Sequence, residues 1–178
     1  GKFGAPFSYA TFHHERALAP GQLSYQQMVE IYHYDSINAD TEVYGVIADP
    51  IGHSLSPQLH NAGFLARNLN KVYIPIRVPR ENLSRFIDDA PAWGIRGLSV
   101  TIPHKEEILK KLTEADEAVR GIGASNTILF EGNKRLGFNT DCPAAMDALE
   151  SAVGGREEFA RRMKGRTALV LGAGGAGK

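Results

Sequence analysis

Lys105 occupies the position in this chain where chemistry is most easily argued from sequence. Residues 97–102 (GLSVTI) predict an apolar strand and residues 103–112 (PHKEEILKKL) predict a helix, which places the lysine in the first turn of that helix. The free N–H groups of such a turn carry partial positive charge and disfavour an ammonium group by roughly 0.3–1 kcal/mol. A helix N-terminus at the carboxyl end of a strand is also where open α/β sheets bind small ligands. Lys105 is therefore either a functional group facing a crevice or a solvated surface lysine.

Serine, asparagine and aspartate side chains at other predicted turns add hydrogen-bonding groups. Ser54 and Ser56 come just before a helix predicted to begin at Pro57, so two hydroxyls and the positive helix end could converge on a carboxylate. Ser56 would equally serve as a plain N-cap. Asp141 precedes another predicted helix, and on spacing alone it is an N-cap. Asn126 offers a donor and an acceptor to a ligand hydroxyl, or it is an ordinary turn residue.

The elements predicted around these residues alternate between strands and helices. The alternation predicts an α/β fold with a mostly parallel sheet and flanking helices. Residues 131–133 (EGN) are predicted to join two short strands as a hairpin. The predicted strands span residues 43–47, 71–76, 97–102, 127–130, 135–138 and 166–171, and the predicted helices span residues 57–68, 81–89, 103–112, 114–119 and 143–153.

The two ends of the chain differ from this middle part. Residues 1–41 are loop-like around a short amphipathic helix at residues 25–32, which indicates the remnant of another domain followed by a linker. Residues 42–153 form the main predicted domain. Residues 154–178 are predicted to be a linker and then the first strand and glycine loop of a truncated Rossmann domain. We therefore expect a fragment of a longer protein.

Residues 172–178 (GAGGAGK), after the last predicted strand, fit two phosphate-binding motifs. They match G-x-G-x-x-G, the dinucleotide fingerprint, and also G-x-x-x-x-G-K, the beginning of a P-loop. Both motifs follow a strand and hold phosphates with backbone N–H groups at a helix N-terminus, so local physics does not separate them.

Composition narrows the classes of function. The 178 residues contain 20 lysines and arginines and 20 aspartates and glutamates, a balance that gives no sign of a nucleic-acid or membrane surface. Cys142 is the only cysteine, so we expect a reducing compartment, either the cytoplasm or an organelle such as a plastid. No apolar run reaches the roughly 18 residues of a membrane span, and no signal peptide is recognised. The histidines match no metal-ligand spacing, so no metal site is predicted.

Four segments, in this order along the chain, resemble the motifs of shikimate dehydrogenases. They are residues 44–57 (YGVIADPIGHSLSP), 100–107 (VTIPHKEE), 123–127 (GASNT) and 137–141 (GFNTD), and the glycine loop follows them. This resemblance covers the substrate-binding domain and the opening of the nucleotide-binding domain. Residues 6–10 (PFSYA) and 19–22 (APGQ) resemble, over a shorter stretch, the end of a type I 3-dehydroquinate dehydratase. Together the two resemblances predict a fragment of a bifunctional protein.

The shikimate dehydrogenase resemblance implies an activity and a set of site residues. The activity is the reversible, NADPH-dependent reduction of 3-dehydroshikimate to shikimate, and the cofactor is NADP, which favours the dinucleotide interpretation of the glycine loop. The implied catalytic pair is Lys105 and Asp141, with the lysine stabilising and protonating the oxygen that gains charge as hydride arrives. The implied substrate contacts are Ser54, Ser56, Thr101, Lys105, Asn126 and Asp141, and the implied cofactor contacts are Glu117, Gly172, Ala173, Gly174, Gly175 and Gly177.

The chain departs from the two families at two positions. Cys142 stands where shikimate dehydrogenases usually have glycine, and Leu18 stands where the dehydratases commonly have a substrate-contacting serine. A quinate dehydrogenase paralogue and a non-catalytic shikimate-binding module are the alternative functions; Ser54 favours shikimate over quinate. The lysine and histidine of the dehydratase reaction would lie upstream, and most of a nucleotide domain is missing, so we expect no turnover from this chain alone.

Overall fold

The computed structural model describes residues 2–5, 7–19, 21–52, 54–167 and 169. The chain divides into two compact units, Gly1–Ser99 and Val100–Lys178. The described residues form strands in mixed pairing with flanking helices, which confirms the predicted α/β class. Within the described ranges, every helix is too short or too polar to cross a lipid bilayer.

The residues that the structure describes in the first unit form three strands and three α-helices. In chain order these are α1 (Tyr25–Glu30), β1 (Glu42–Ala48), α2 (Ser56–Ala66), β2 (Lys71–Arg77), α3 (Leu83–Asp89) and β3 (Ile95–Val100). Short 3₁₀ turns at Arg80–Asn82 and Ala90–Trp93 precede and follow α3.

The pairing of β1 with β2 builds the core of this unit. The two strands are parallel, with Tyr44 opposite Tyr73 in the register. Side chains of β1 alternate between the two faces of the sheet, yet its last residues, Val46, Ile47 and Ala48, are all buried, as expected for a strand covered on both faces. Ile87 of α3 is also fully buried in this unit.

The N-terminal residues of the first unit are joined to it by defined polar contacts. Helix α1 begins with a capping box, in which the Ser24 hydroxyl accepts from the Gln27 N–H and the Gln27 side chain accepts from the Ser24 N–H. The ammonium group of Lys2 donates to the carbonyl oxygen of Thr41, 2.6 Å away, just before β1. The boundary that the sequence predicts at residue 41 therefore falls inside one compact unit.

In the described part of the second unit there are three further strands and three α-helices. After a 3₁₀ helix at Glu107–Lys111 come β4 (Glu114–Ala115), α4 (Glu117–Ile122), β5 (Thr127–Glu131), β6 (Lys134–Phe138), α5 (Asp141–Ala152) and α6 (Arg156–Met163). Strands β5 and β6 are antiparallel and form the predicted hairpin, turning at Gly132 with a φ of 58°. Strand β4 pairs with β6 in the parallel sense.

The helix predicted over residues 103–112 is shorter than the prediction. A 3₁₀ helix begins only at Glu107, so Lys105 precedes it and does not lie in a first helical turn. The physical reason is a tertiary hydrogen bond. The carbonyl oxygen of Lys105, which an α-helix would pair with the Leu109 N–H, accepts instead from the Ser125 N–H at 2.8 Å, and Leu109 bonds to Glu106. The helix-dipole argument for Lys105 is therefore wrong.

Two other predicted elements also differ. The helix predicted over residues 114–119 is a short strand, β4, followed by α4, because the Asp116 N–H donates to the Gly137 carbonyl and the Asp116 carboxylate caps α4 through the Val119 N–H. Residues 156–163, predicted as linker, form α6. Half of the strand predicted over residues 166–171 lies outside the described residues.

Candidate functional site

A lysine–aspartate ion pair is the central feature of the second unit. Lys105 Nζ lies 2.5 Å from Asp141 Oδ2. The lysine side chain is only 14% exposed, whereas the aspartate side chain is 46% exposed. An ammonium group with little access to water needs such a partner, and here the partner remains open to solvent on its other side. The pair thus presents a charged lysine beside an accessible carboxylate.

Asn126 holds the carboxylate of this pair in place. Its side-chain amide donates to Asp141 Oδ1 at 2.7 Å and to the Thr140 hydroxyl at 2.8 Å. The side-chain carbonyl oxygen of Asn126 accepts from the Thr140 N–H and the Thr127 hydroxyl, both at 3.0 Å. We call Lys105, Asn126 and Asp141 the lysine cluster. The structure brings together in it three of the residues that the sequence predicts as site residues.

The backbone around Asn126 explains why these three residues meet. The backbone carbonyl oxygen of Asn126 accepts from the Val100 N–H at 2.7 Å, which joins Asn126 to the end of β3. Its own N–H donates to the Phe138 carbonyl at 3.1 Å, which ties it to the end of β6. The hydroxyl of the fully buried Ser125 lies 2.9 Å from the Thr127 and Phe138 carbonyl oxygens, and both compete for its single proton. The loop before β5 is therefore fixed between the segments that carry Lys105 and Asp141.

The Asn139 side chain satisfies the first N–H groups of helix α5, whose N-cap position is Thr140, whereas spacing alone made Asp141 a possible N-cap. The Asn139 side-chain oxygen accepts from the N–H groups of Asp141 and Cys142 at 3.1 and 3.2 Å, and its amide donates to the Ala124 carbonyl at 2.9 Å. Helix α5 begins at Asp141 itself, so the aspartate is its first residue and not its cap. Because Asn139 satisfies these N–H groups, the Asp141 carboxylate is free to pair with Lys105. The signal for Asn139 was its place inside the GFNTD motif.

Thr101 and Glu117 lie in the same unit as the lysine cluster. Thr101 directly follows β3, is half-buried, and accepts a backbone hydrogen bond from His104 at 2.9 Å. Glu117 is the exposed first residue of α4. Neither placement tests the substrate role predicted for Thr101 or the cofactor role predicted for Glu117.

Ser54 and Ser56 form a turn at the start of α2 in the first unit. Both side chains are half-buried. Ser56 is the first helical residue, followed by Pro57, and the Ser54 hydroxyl oxygen accepts from the Ser56 N–H at 3.3 Å. The capping role predicted for Ser56 is therefore wrong, because Ser54 supplies the acceptor. The Ser56 hydroxyl is left available for other partners at a helix end that attracts negative charge.

Asn61 and His60 of α2, the helix that follows this turn, make close contacts with Tyr73 of β2. Asn61 of α2 is buried and pairs with the backbone of Tyr73 in both directions, accepting from its N–H at 2.7 Å and donating to its carbonyl at 2.9 Å. The ring of His60 stacks on the ring of Tyr73, with centroids 4.2 Å apart and planes 17° apart. Burial lowers the pKa of His60 below its ordinary value, and burial raises the pKa of the Tyr73 hydroxyl.

The remaining predicted cofactor residues, Gly172, Ala173, Gly174, Gly175 and Gly177, lie outside the described residues. Among the residues that the structure does describe, no three histidine, cysteine, aspartate or glutamate side chains are grouped so as to hold a metal ion.

Comparison with known proteins shows which family this chain is similar to. A family model described as the shikimate dehydrogenase substrate-binding domain matches residues 46–128, which include Ser54, Ser56, Thr101, Lys105 and Asn126. The match to this family model falls on segments whose motifs resemble shikimate dehydrogenases in the sequence.

Three relatives show how far the similarity extends. A bifunctional chloroplastic 3-dehydroquinate dehydratase/shikimate dehydrogenase of Arabidopsis thaliana is 36% identical over 99% of this chain and 30% of its own length. A shikimate dehydrogenase (NADP⁺) of Methanocaldococcus jannaschii is 47% identical over 80% of this chain and 48% of its own. The crystal structure of a Thermus thermophilus shikimate 5-dehydrogenase in complex with shikimate superposes with a TM-score of 0.65 at 34% identity, covering 76% of this chain and 49% of that one.

The two curated relatives align with different shares of this chain. The chain spans about half the length or less of the curated relatives it matches. The bifunctional relative aligns with nearly the whole chain, whereas the archaeal enzyme aligns with 80% of it. A fragment of a fusion protein is compatible with both alignments.

Proposed function

We propose that this chain belongs to an NADP-dependent shikimate dehydrogenase fused to a 3-dehydroquinate dehydratase. The observation that carries the proposal is the lysine cluster, in which a mostly buried ammonium group is held against a partly exposed carboxylate. The family match over residues 46–128 and the names of the relatives supply the substrate and the cofactor. Bound NADPH would supply the hydride.

Lys105 is the proton donor in this proposal. As a ketone accepts hydride, its oxygen gains negative charge, and a nearby ammonium group stabilises that charge and then delivers a proton to the oxygen. In the direction of oxidation, the neutral amine takes the proton from the hydroxyl. Asp141 positions the ammonium group through their ion pair and, through its exposed side, accepts a hydrogen bond from a ring hydroxyl.

The other proposed roles follow the chemistry of each side chain. Ser54 and Ser56 bind the carboxylate of shikimate, with the N-terminus of the eleven-residue α2 adding favourable charge. Thr101 and Asn126 bind ring hydroxyls, and Asn126 also fixes Asp141. Glu117 and the glycines of residues 172–177 contact NADP.

The proposal is tested by following NADP and NAD reduction by the full-length protein, with shikimate and quinate offered in parallel. Shikimate-dependent reduction of NADP is the expected result. Reduction with quinate instead would identify a quinate dehydrogenase, and no reduction with either acid by a folded protein would leave a binding module. We place the protein in a plastid or in the cytoplasm, and the relative described as chloroplastic makes the plastid the first compartment to examine.

A further inference from the structure

Thr140 carries a hydroxyl group that neither helix capping nor the proposed reaction explains. It occupies the N-cap position of α5, where a threonine ordinarily accepts a hydrogen bond from an N–H group of the first turn. The Thr140 hydroxyl makes no such bond, and the Asn139 side chain accepts from the Asp141 and Cys142 N–H groups instead. The usual structural reason for a threonine at this position is therefore missing.

Thr140 is held beside the lysine cluster at two points. Its backbone N–H donates to Asn126 Oδ1 at 3.0 Å, and its hydroxyl oxygen accepts from Asn126 Nδ2 at 2.8 Å. The same Nδ2 donates to Asp141 Oδ1 at 2.7 Å. The Thr140 hydroxyl oxygen and Asp141 Oδ1 thus each lie one hydrogen bond away from the same amide nitrogen, so a single ligand oxygen placed between them can contact both.

Asn126 has no hydrogen-bonding capacity left in this arrangement. A side-chain amide offers two protons and two lone pairs. Both protons are donated, to Thr140 and Asp141, and both lone pairs accept, from the Thr140 N–H and the Thr127 hydroxyl. Asn126 must therefore give up an internal bond before it contacts a ligand. The hydroxyl proton of Thr140, in contrast, is donated to no acceptor among the described residues, and the side chain is exposed, so Thr140 can donate to a ligand without such a loss.

We propose that Thr140 is a further substrate contact, whose hydroxyl donates a hydrogen bond to the oxygen of the ring hydroxyl that Asp141 accepts from. The inference rests on the proposed function, in which the exposed side of Asp141 accepts from a ring hydroxyl of shikimate. Asp141 then takes the proton of that hydroxyl, and Thr140 donates to its oxygen. Because a hydroxyl that donates to a carboxylate is a better acceptor, the two bonds strengthen each other. Such a pair selects a hydroxyl over an ether or ketone oxygen, which has no proton to donate.

The test measures the dissociation constant for shikimate by calorimetry and the rate of NADP reduction, both with the full-length protein. Thr140→Val keeps the branched shape and removes the hydroxyl. We expect it to raise Kd about fivefold, the worth of one neutral hydrogen bond, whereas Thr140→Ser, which keeps the hydroxyl, should stay within about twofold of the original protein. The matched control is Thr113→Val, at an exposed threonine whose hydroxyl contacts the backbone of Arg135; it should bind shikimate as the original protein does.

The turnover number separates a direct contact from support of Asn126. If Thr140 acted only by holding Asn126, Thr140→Val would misorient Asp141 and lower kcat, as Asn126→Ala should. A direct contact with a ring hydroxyl that does not react adds equally to the binding of substrate and transition state, so kcat and its pH profile should stay within about twofold. A fall in kcat as large as that of Asn126→Ala would overturn the inference, as would equal weakening of shikimate binding by Thr140→Val and Thr140→Ser.

Shikimate analogues that each lack one ring hydroxyl locate the contact on the ligand. Thr140→Val should bind the analogue without the contacted hydroxyl as tightly as the original protein does, whereas with the other analogues the difference of about fivefold should persist. A difference of the same size with every analogue, or none with shikimate itself, would overturn the inference, and the proposed function would stand if shikimate still reduces NADP. Absence of both shikimate binding and shikimate-dependent reduction in the original protein would overturn the proposed function and this inference with it.

Discussion

The side-chain amide of Asn126 donates a 2.7 Å hydrogen bond to Asp141 Oδ1. This contact leaves Oδ2 for the ammonium group of Lys105, 2.5 Å away. Asn126 therefore orients the Asp141 carboxylate, and Lys105 forms an ion pair with it. Each of the three residues has a separable role in this arrangement.

Replacing Asn126 by alanine should misorient Asp141 without removing any charge. In the full-length protein we expect turnover with shikimate to fall by about ten- to a hundredfold, because small displacements of a catalytic group are costly. Steady-state rates of NADP reduction measure the effect. Asn133→Ala, in the exposed hairpin turn, is the matched control and should leave the rate unchanged. Normal turnover in Asn126→Ala would show that Asp141 needs no such support.

Lys105→Ala removes the proposed proton donor. We expect turnover by the full-length protein to fall by at least about a hundredfold, the lower range for loss of general acid–base catalysis. Binding of shikimate should persist, since the other proposed contacts are intact. Parallel assays of NADP reduction and of shikimate affinity measure the two effects. Lys110→Ala, which removes an exposed lysine paired with Glu107, provides the comparison. Near-normal rates in Lys105→Ala would refute the assignment.

His60 should make folding stability depend on pH. Burial holds its pKa below the value of about 6.5 expected in the unfolded chain, so the unfolded state binds the proton more readily. Its contribution to stability is complete above about pH 6.5 and is lost as the pH falls through the lower pKa of the folded state. Thermal unfolding of the original chain and of His60→Phe, which keeps an aromatic ring against Tyr73, should show a flatter pH profile for the variant below pH 6.5. Identical profiles would contradict the prediction.

Gly45 in β1 and Gly63 in α2 should respond to alanine in opposite ways. A Cβ atom at Gly45 would lie 2.6 Å from the carbonyl oxygen of Ile74 on the paired strand, so the backbone must shift. We expect Gly45→Ala to lower the free energy of unfolding by roughly 1–3 kcal/mol. A Cβ at Gly63 meets nothing closer than the end of the Arg67 side chain at 4.0 Å, and alanine is the better helix former, so Gly63→Ala should stabilise by roughly 0.5–1 kcal/mol. Urea unfolding measures the free energy of unfolding of both variants. Stabilisation by both substitutions would show that the packing around Gly45 is looser than the structure indicates.

Prediction from sequence was most successful where local patterns act alone. The β5–β6 hairpin and the strands β1 and β2 lie within a residue or two of their predicted bounds, since a run of apolar β-formers or a glycine turn specifies them locally. The segment after β3 was mistaken for a helix because its residues favour one. The tertiary bond from Ser125 to the Lys105 carbonyl overrides that preference, and no local pattern contains it.

The same distinction between local patterns and tertiary contacts holds for the candidate site. The residue types of the lysine cluster were visible in the VTIPHKEE, GASNT and GFNTD segments, and these motifs pointed to the family before any geometry was known. Sequence could not separate the capping role of Asp141 from its pairing with Lys105. It is Asn139, by taking over the cap of α5, that leaves the Asp141 carboxylate free.

The sequence by itself determined the α/β class, the residue types available for chemistry and the resemblance to the family whose model matches residues 46–128, because local patterns and motifs carry this information. Only the tertiary structure decided which of those residues meet. Lys105 and Asp141 are 36 positions apart, and Tyr73 and Ser99 are 26 apart. Hydrogen bonds between neighbouring strands and loops set these distances, and such bonds depend on how segments remote in the chain pack together.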